Sequence, residues 1–68
     1  MAKVIEHRER AVQLDPVNAN FLHRLASDYF DDSQIARAVE TQERVVALRP
    51  DSEIAAQKLE EYRAALKD

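Results

Sequence analysis

Few side chains in this 68-residue sequence are of a type that does chemistry. His7 and His23 are its only histidines, and it has no cysteine. They fall on different predicted helices without the HExxH spacing that puts two imidazoles on one helix face, so a metal site is not expected. Both read as surface histidines. Asp31-Asp32 offers two adjacent carboxylates, but an oxygen-ligated cation needs more converging ligands than two neighbours supply, and helix capping accounts for them better. Ser27, Ser33 and Ser52 have no His–Asp arrangement nearby to activate a hydroxyl. Ser33 and Ser52 are cap candidates, and Ser27 lies on a helix face. The expectation is therefore a protein that is not an enzyme and uses no metal or cofactor, so its function rests on a surface.

Composition limits what that surface belongs to. A chain of this size forms one small domain, and a single core below about 70–80 residues rarely supplies more than ~3–5 kcal/mol. Without cysteine, no disulfide or thiolate–zinc site supplements it. Apolar residues make up 46% and charged ones 34%, which is a globular helical profile rather than a disordered one. Glycine is absent, which disfavours hairpin-rich β structure and phosphate-cradling loops. The net charge of −3 argues against nucleic acid as a partner, since that needs a basic face. No apolar run approaches the ~18 residues of a membrane span, and Met1–Lys3 leads into no signal-peptide core. A soluble, cytoplasmic chain with no membrane partner is expected.

The elements that position this surface are four predicted helices. The first runs from about Ala2 to Leu14, with Val4, Ile5, Ala11, Val12 and Leu14 on its apolar face. Asp15-Pro16 stops it, because the residue before proline is driven out of helical geometry, and Asn18 offers a cap for the next. The second, about Ala19 to Phe30, carries Leu22, Leu25, Ala26, Tyr29 and Phe30 at helical spacing. Asp31-Asp32-Ser33 breaks it, any of the three being able to cap the third helix, Gln34 to Leu48. With no glycine for a positive φ, that turn needs a different or a strained geometry. Ile35, Ala38, Val39, Val45, Val46 and Leu48 form the third apolar face. Glu6→Arg10 and Glu40→Arg44 are i, i+4 pairs in the favourable order. Pro50 ends the third helix, and Asp51 or Ser52 caps the fourth, about Glu53 to Lys67, with Ala55, Leu59, Tyr62 and Leu66 inward.

Two of these segments match each other. Ile5–Pro16 laid over Val39–Pro50 gives six identities in twelve positions at an offset of 34: Glu6/Glu40, Glu9/Glu43, Arg10/Arg44, Val12/Val46, Leu14/Leu48 and Pro16/Pro50. A self-match at such a period signals stacked helical units. The stretch Ala19–Ser52 resembles a tetratricopeptide repeat, a 34-residue helix–turn–helix unit. Leu25, Ala26, Tyr29, Ala38 and Pro50 carry the resemblance, with Leu22 at a place usually held by a large apolar residue. Ala26 replaces a common glycine, Ser33 replaces the glycine of the inter-helix turn, and Gln42 stands where an aromatic is frequent. The fold expected is all-α, an antiparallel helix–turn–helix stack. Residues 1–17 would be the second helix of a preceding repeat, 18–52 a complete repeat, and 53–68 a C-terminal capping helix.

The resemblance implies a protein–protein interaction module whose first helices line a groove for a peptide or partner protein. On that geometry Asn20, His23, Ser27 and Phe30 face the groove from the second helix, and Gln57, Glu61 and Ala64 from the fourth. Phe30 is either an aromatic anchor or packs on the fourth helix. The Lys/Asn carboxylate clamp of some members is absent, since His23, Ser27, Gln57 and Glu61 hold those places. Two other roles stay open: a structural homo-oligomerisation element, or a regulatory appendage of a larger protein. The first helix presents a weakly apolar stripe of Val4, Arg8 and Ala11 with neighbouring Ile5. A weak homodimer through that stripe is expected, against the alternative that the Arg8 stem covers it in a monomer.

Overall fold

A computed structural model describes residues 2–67, with side chains from residue 5 to residue 67. It contains four α-helices: α1 Ala2–Leu14, α2 Ala19–Asp31, α3 Ile35–Leu48 and α4 Glu53–Lys67. No strand occurs among the described residues. Each helix packs on the next as a hairpin, and the whole is a slab of 27 × 27 × 13 Å. One core runs through it, from Ile5 and Val12 of α1, through Leu22, Leu25, Ala26 and Tyr29, to Ala38, Val39 and Val45, and on to Ala55, Leu59 and Tyr62. A chain this small gains its stability from that continuity, because no single helix pair buries enough apolar surface alone.

The 34-residue period is built as geometry. In the first inter-hairpin turn the Asn18 amide donates to the Asp15 carbonyl at 3.1 Å, and in the second the Ser52 amide donates to the Arg49 carbonyl at 3.1 Å. Asn18 Oδ1 then accepts from the Phe21 amide at 3.2 Å, and Ser52 Oγ from the Ala55 amide at 3.2 Å. Every partner in one turn lies 34 residues from its counterpart in the other. Asn18 and Ser52 are thus the side-chain caps of α2 and α4, satisfying backbone donors that a bare helix start leaves open.

The α2–α3 turn departs from expectation. None of Asp31, Asp32 or Ser33 caps α3, whose cap residue is Gln34 without a side-chain bond. The turn instead closes α2. The Gln34 amide donates to the Tyr29 carbonyl at 2.8 Å and the Ser33 amide to the Phe30 carbonyl at 3.1 Å. That pair of bonds is a Schellman motif, and it forces its C′ residue into the left-handed region. Ser33 sits there at φ 62°, with no glycine to do so. Asp32 is used locally, its carboxylate accepting from Gln34 Nε2 at 2.7 Å.

Three leucines read as inward point out. Leu14 is 82% exposed, Leu66 half exposed, and Leu48 at the edge of exposure. Each lies in the last turn of its helix, past the reach of the neighbouring one. The expected Glu6–Arg10 and Glu40–Arg44 pairs also do not form, and Arg44 reaches the Pro16 carbonyl at 3.5 Å instead. On α4, Ala56, Glu60 and Arg63 are exposed, Arg63 at the edge where it reaches Glu43 of α3. These are the counterparts of Leu22, Ala26 and Tyr29, which α3 covers in the complete unit. The outer face of α4 is accordingly polar enough to stay wet.

Candidate functional site

α2 and α4 lie side by side, joined by an aromatic contact. Near their N-terminal ends lies an open cleft of ≈ 380 Å³. Ala19, Val45 and Ala55, all buried core residues, make its floor. Asn20, His23, Arg49, Asp51, Ser52 and Ile54 make its walls and rim. Ile54 is 66% exposed there, a large apolar side chain with little of its own chain to pack on.

Toward the other end, α2 and α4 meet through an aromatic pair. The Phe30 and Tyr62 rings stack at 4.6 Å between centroids and 25° between planes. Phe30 is half-buried, so it forms the α2–α4 junction rather than a freely exposed anchor. Burial pushes the Tyr62 hydroxyl above its ordinary range; Lys58 and the Ser27 hydroxyl pull it back, and the carboxylates of Glu61 and Asp31 add to the rise. Lys58 pairs with Glu61 at 3.3 Å on the exposed face of α4.

The seven residues expected to line a groove therefore divide. Asn20 and His23 enter the cleft, His23 half-buried rather than fully on the surface. Ser27 and Phe30 converge on Tyr62. Gln57, Glu61 and Ala64 are exposed on α4 and do not line the cleft. Arg49 and Ile54 were not anticipated, because one belongs to a turn and the other to a helix start, and only the hairpin geometry carries them to the same opening.

The stripe on α1 is changed more. Ile5 is buried in the core of its own chain, which removes it from any outward face. The Arg8 side chain forms an ion pair with Asp28 of α2 instead of lying along the stripe with a solvated charge. Ala11 is half-buried, and the Val4 side chain lies outside the described residues.

Polar contacts that a linear reading does not pair hold the hairpins in register. The Tyr29 hydroxyl donates to the Glu9 carboxylate, and the Arg63 guanidinium donates to Glu43 at 3.0 Å. Glu9 and Glu43 are 34 apart, as are Tyr29 and Arg63, so one contact recurs in both units with a different donor. Burial pushes the Tyr29 hydroxyl up to about 12, with the Glu9 hydrogen bond and charge adding to it and Arg37 opposing. The Arg37 guanidinium lies 5.9 Å from the Tyr29 ring centre, at cation–π distance. Gln42 is fully buried, its Nε2 donating to the Ala55 carbonyl at 3.0 Å while its Oε1 has no protein partner among the described residues. Thr41, also buried, donates to the Arg37 carbonyl at 2.8 Å.

Among the described residues no group of three or more histidines, cysteines or carboxylates converges as metal ligands. No helix among the described residues is long and apolar enough to cross a membrane.

No family model matches the chain, and no solved structure matches it either. It is similar to sperm-associated antigen 1 of the mouse, Mus musculus, at 31% identity over 67 residues. The match covers 98% of this chain and 7% of that protein, so the chain spans well under a tenth of the length of the curated relative it matches.

Proposed function

We propose that the chain is a tetratricopeptide-like unit that acts as a protein-interaction module, binding an extended peptide segment along the α2–α4 surface and carrying out no catalysis. The observation that supports it best is the recurrence of the same turn, cap and cross-hairpin contact at an offset of 34 residues. Units stacked this way leave successive first helices side by side, and the strip between them is a concave surface without chemistry of its own. The cleft beside His23 and Ile54 gives that strip a pocket large enough for one bulky side chain. Similarity to a segment of sperm-associated antigen 1 agrees with a modular unit that occurs within longer proteins.

Panning a displayed peptide library against the chain, then mapping the selected peptide by amide chemical-shift changes, tests this. The expected shifts concentrate on Asn20, His23, Ser27 and Gln57. Shifts confined to α1 or to the outer face of α4, or no selected binder at all, would refute the groove.

A further inference from the structure

The two ends of the α2–α4 strip differ in chemistry, and the difference defines a partner. Resting on the groove reading above, we infer that the segment it accepts is an extended stretch carrying one bulky apolar residue and, about three to four residues away, a lysine or arginine. The apolar end is the cleft, whose floor of Val45 and Ala55 and wall of Ile54 offer apolar contact. Arg49 and Asp51 stand together on its rim, so their opposite charges leave that end without a net preference.

The other end is acidic and aromatic. Asp31 follows Phe30 on α2 and Glu61 precedes Tyr62 on α4, both exposed, so the two carboxylates flank the Phe30–Tyr62 stack. Lys58 holds one side of Glu61, whereas Asp31 is exposed and has no ion-pair partner among the described residues. An incoming cation meets a carboxylate not already neutralised, next to half-buried Phe30, along which its alkyl stem can lie. The spacing follows from α2 itself. His23 at the cleft and Asp31 at the acidic end are eight residues apart on one helix, a rise of ~12 Å at 1.5 Å per residue. An extended peptide covers that distance in about three to four residues at ~3.3 Å each.

The test uses the intact chain and fluorophore-labelled peptides in a serine/threonine background. Each carries one leucine and one arginine, adjacent, about four apart or about eight apart, in both orders. Anisotropy titrations should give about 3- to 5-fold tighter binding for the separation of about four in one order, since an exposed ion pair contributes roughly that factor. Replacing the peptide arginine by glutamate should remove the gain. The double variant Asp31→Lys with Glu61→Lys should transfer it to the glutamate peptide. Both positions are exposed, and circular dichroism verifies that the variant keeps its helices. Equal affinity at all separations, equal affinity for arginine and glutamate peptides, an unaltered preference in the double variant, or no binding by any peptide would overturn the inference. A panned peptide that maps to the groove while ignoring charge would overturn it and leave the groove itself standing.

Discussion

Replacing Ser33 by glycine should stabilise the protein, and the size of the gain follows from the α2–α3 turn. Ser33 holds the left-handed position of a Schellman motif at φ 62°. An L-residue there crowds its Cβ against the following carbonyl, at roughly 1–2 kcal/mol. Glycine escapes that crowding but brings ~0.4–1 kcal/mol of extra freedom to the unfolded chain. The net expectation is about 0.5–1 kcal/mol. Nothing offsets it in the folded state, because Ser33 is exposed and the bonds it makes come from its backbone. In a domain of this size 1 kcal/mol moves the melting temperature by about 4–8 °C, so Ser33→Gly should melt about 2–8 °C higher. Calorimetry on the parent, Ser33→Gly, Ser33→Asn and Ser33→Ala separates the cause. Asparagine, which tolerates the left-handed region, should recover part of the gain, and alanine none of it. An unchanged or lower melting temperature for glycine, or an equal rise for alanine, would refute the argument.

Two further substitutions probe the core. Gln42→Met keeps the volume, removes a buried carbonyl oxygen that has no protein partner among the described residues, and gives up one bond to a helix carbonyl. An unsatisfied buried group is worth about 1–3 kcal/mol against about 1 for the bond, so the urea midpoint should rise or hold, whereas Gln42→Ala should lower it through the cavity. A clear loss on Gln42→Met would show that the Ala55 bond fixes α4 on α3 beyond its share. Tyr29 makes stability fall at high pH. Its hydroxyl titrates at about 12 in the folded chain against 10.0 unfolded, so the unfolded chain loses its proton first. The contribution is complete below pH 10 and is lost between about 10 and 12. Two units correspond to ~2.7 kcal/mol, and the neighbouring Glu9 is partly solvated, which brings the expectation to ~1–2 kcal/mol. Urea midpoints on either side of that window should fall less in Tyr29→Phe than in the parent, and equal falls would refute the assignment.

What the sequence made legible and what it hid divide along a physical line. Caps are local: Asn18 and Ser52 each bond an amide three residues on, so residue type and position suffice to find them. The helices were legible for the same reason, since proline and amide caps bracket an apolar pattern of the right period. Leu14, Leu48 and Leu66 misled because periodicity records which side of a helix is apolar, not whether a neighbour extends far enough to cover its last turn. The α2–α3 turn misled because polar residues before a helix suggest N-caps, while here the preceding helix claims them for its own end. The site was legible as a face and not as a cleft: Asn20 and His23 share a side of α2, but Arg49 and Ile54 join them only once α3 and α4 fold back. Long-range pairs lie between these cases. Glu9 with Tyr29 has no signature alone, yet once the period of 34 is known the pair predicts Glu43 with Arg63, where a guanidinium takes the place of the phenol. An internal repeat thus carries information about contacts as well as elements, because two positions that share a register must find partners in the same place. The substitutions that break the repeat are then the informative ones. Arg8 became Gln42 and Asp28 became Tyr62, so an ion pair across the first hairpin gives way in the second to a buried amide and a ring stacked on Phe30. That exchange ties α4 to α2 as well as to α3, and it builds the aromatic end of the strip on which the proposed selectivity rests.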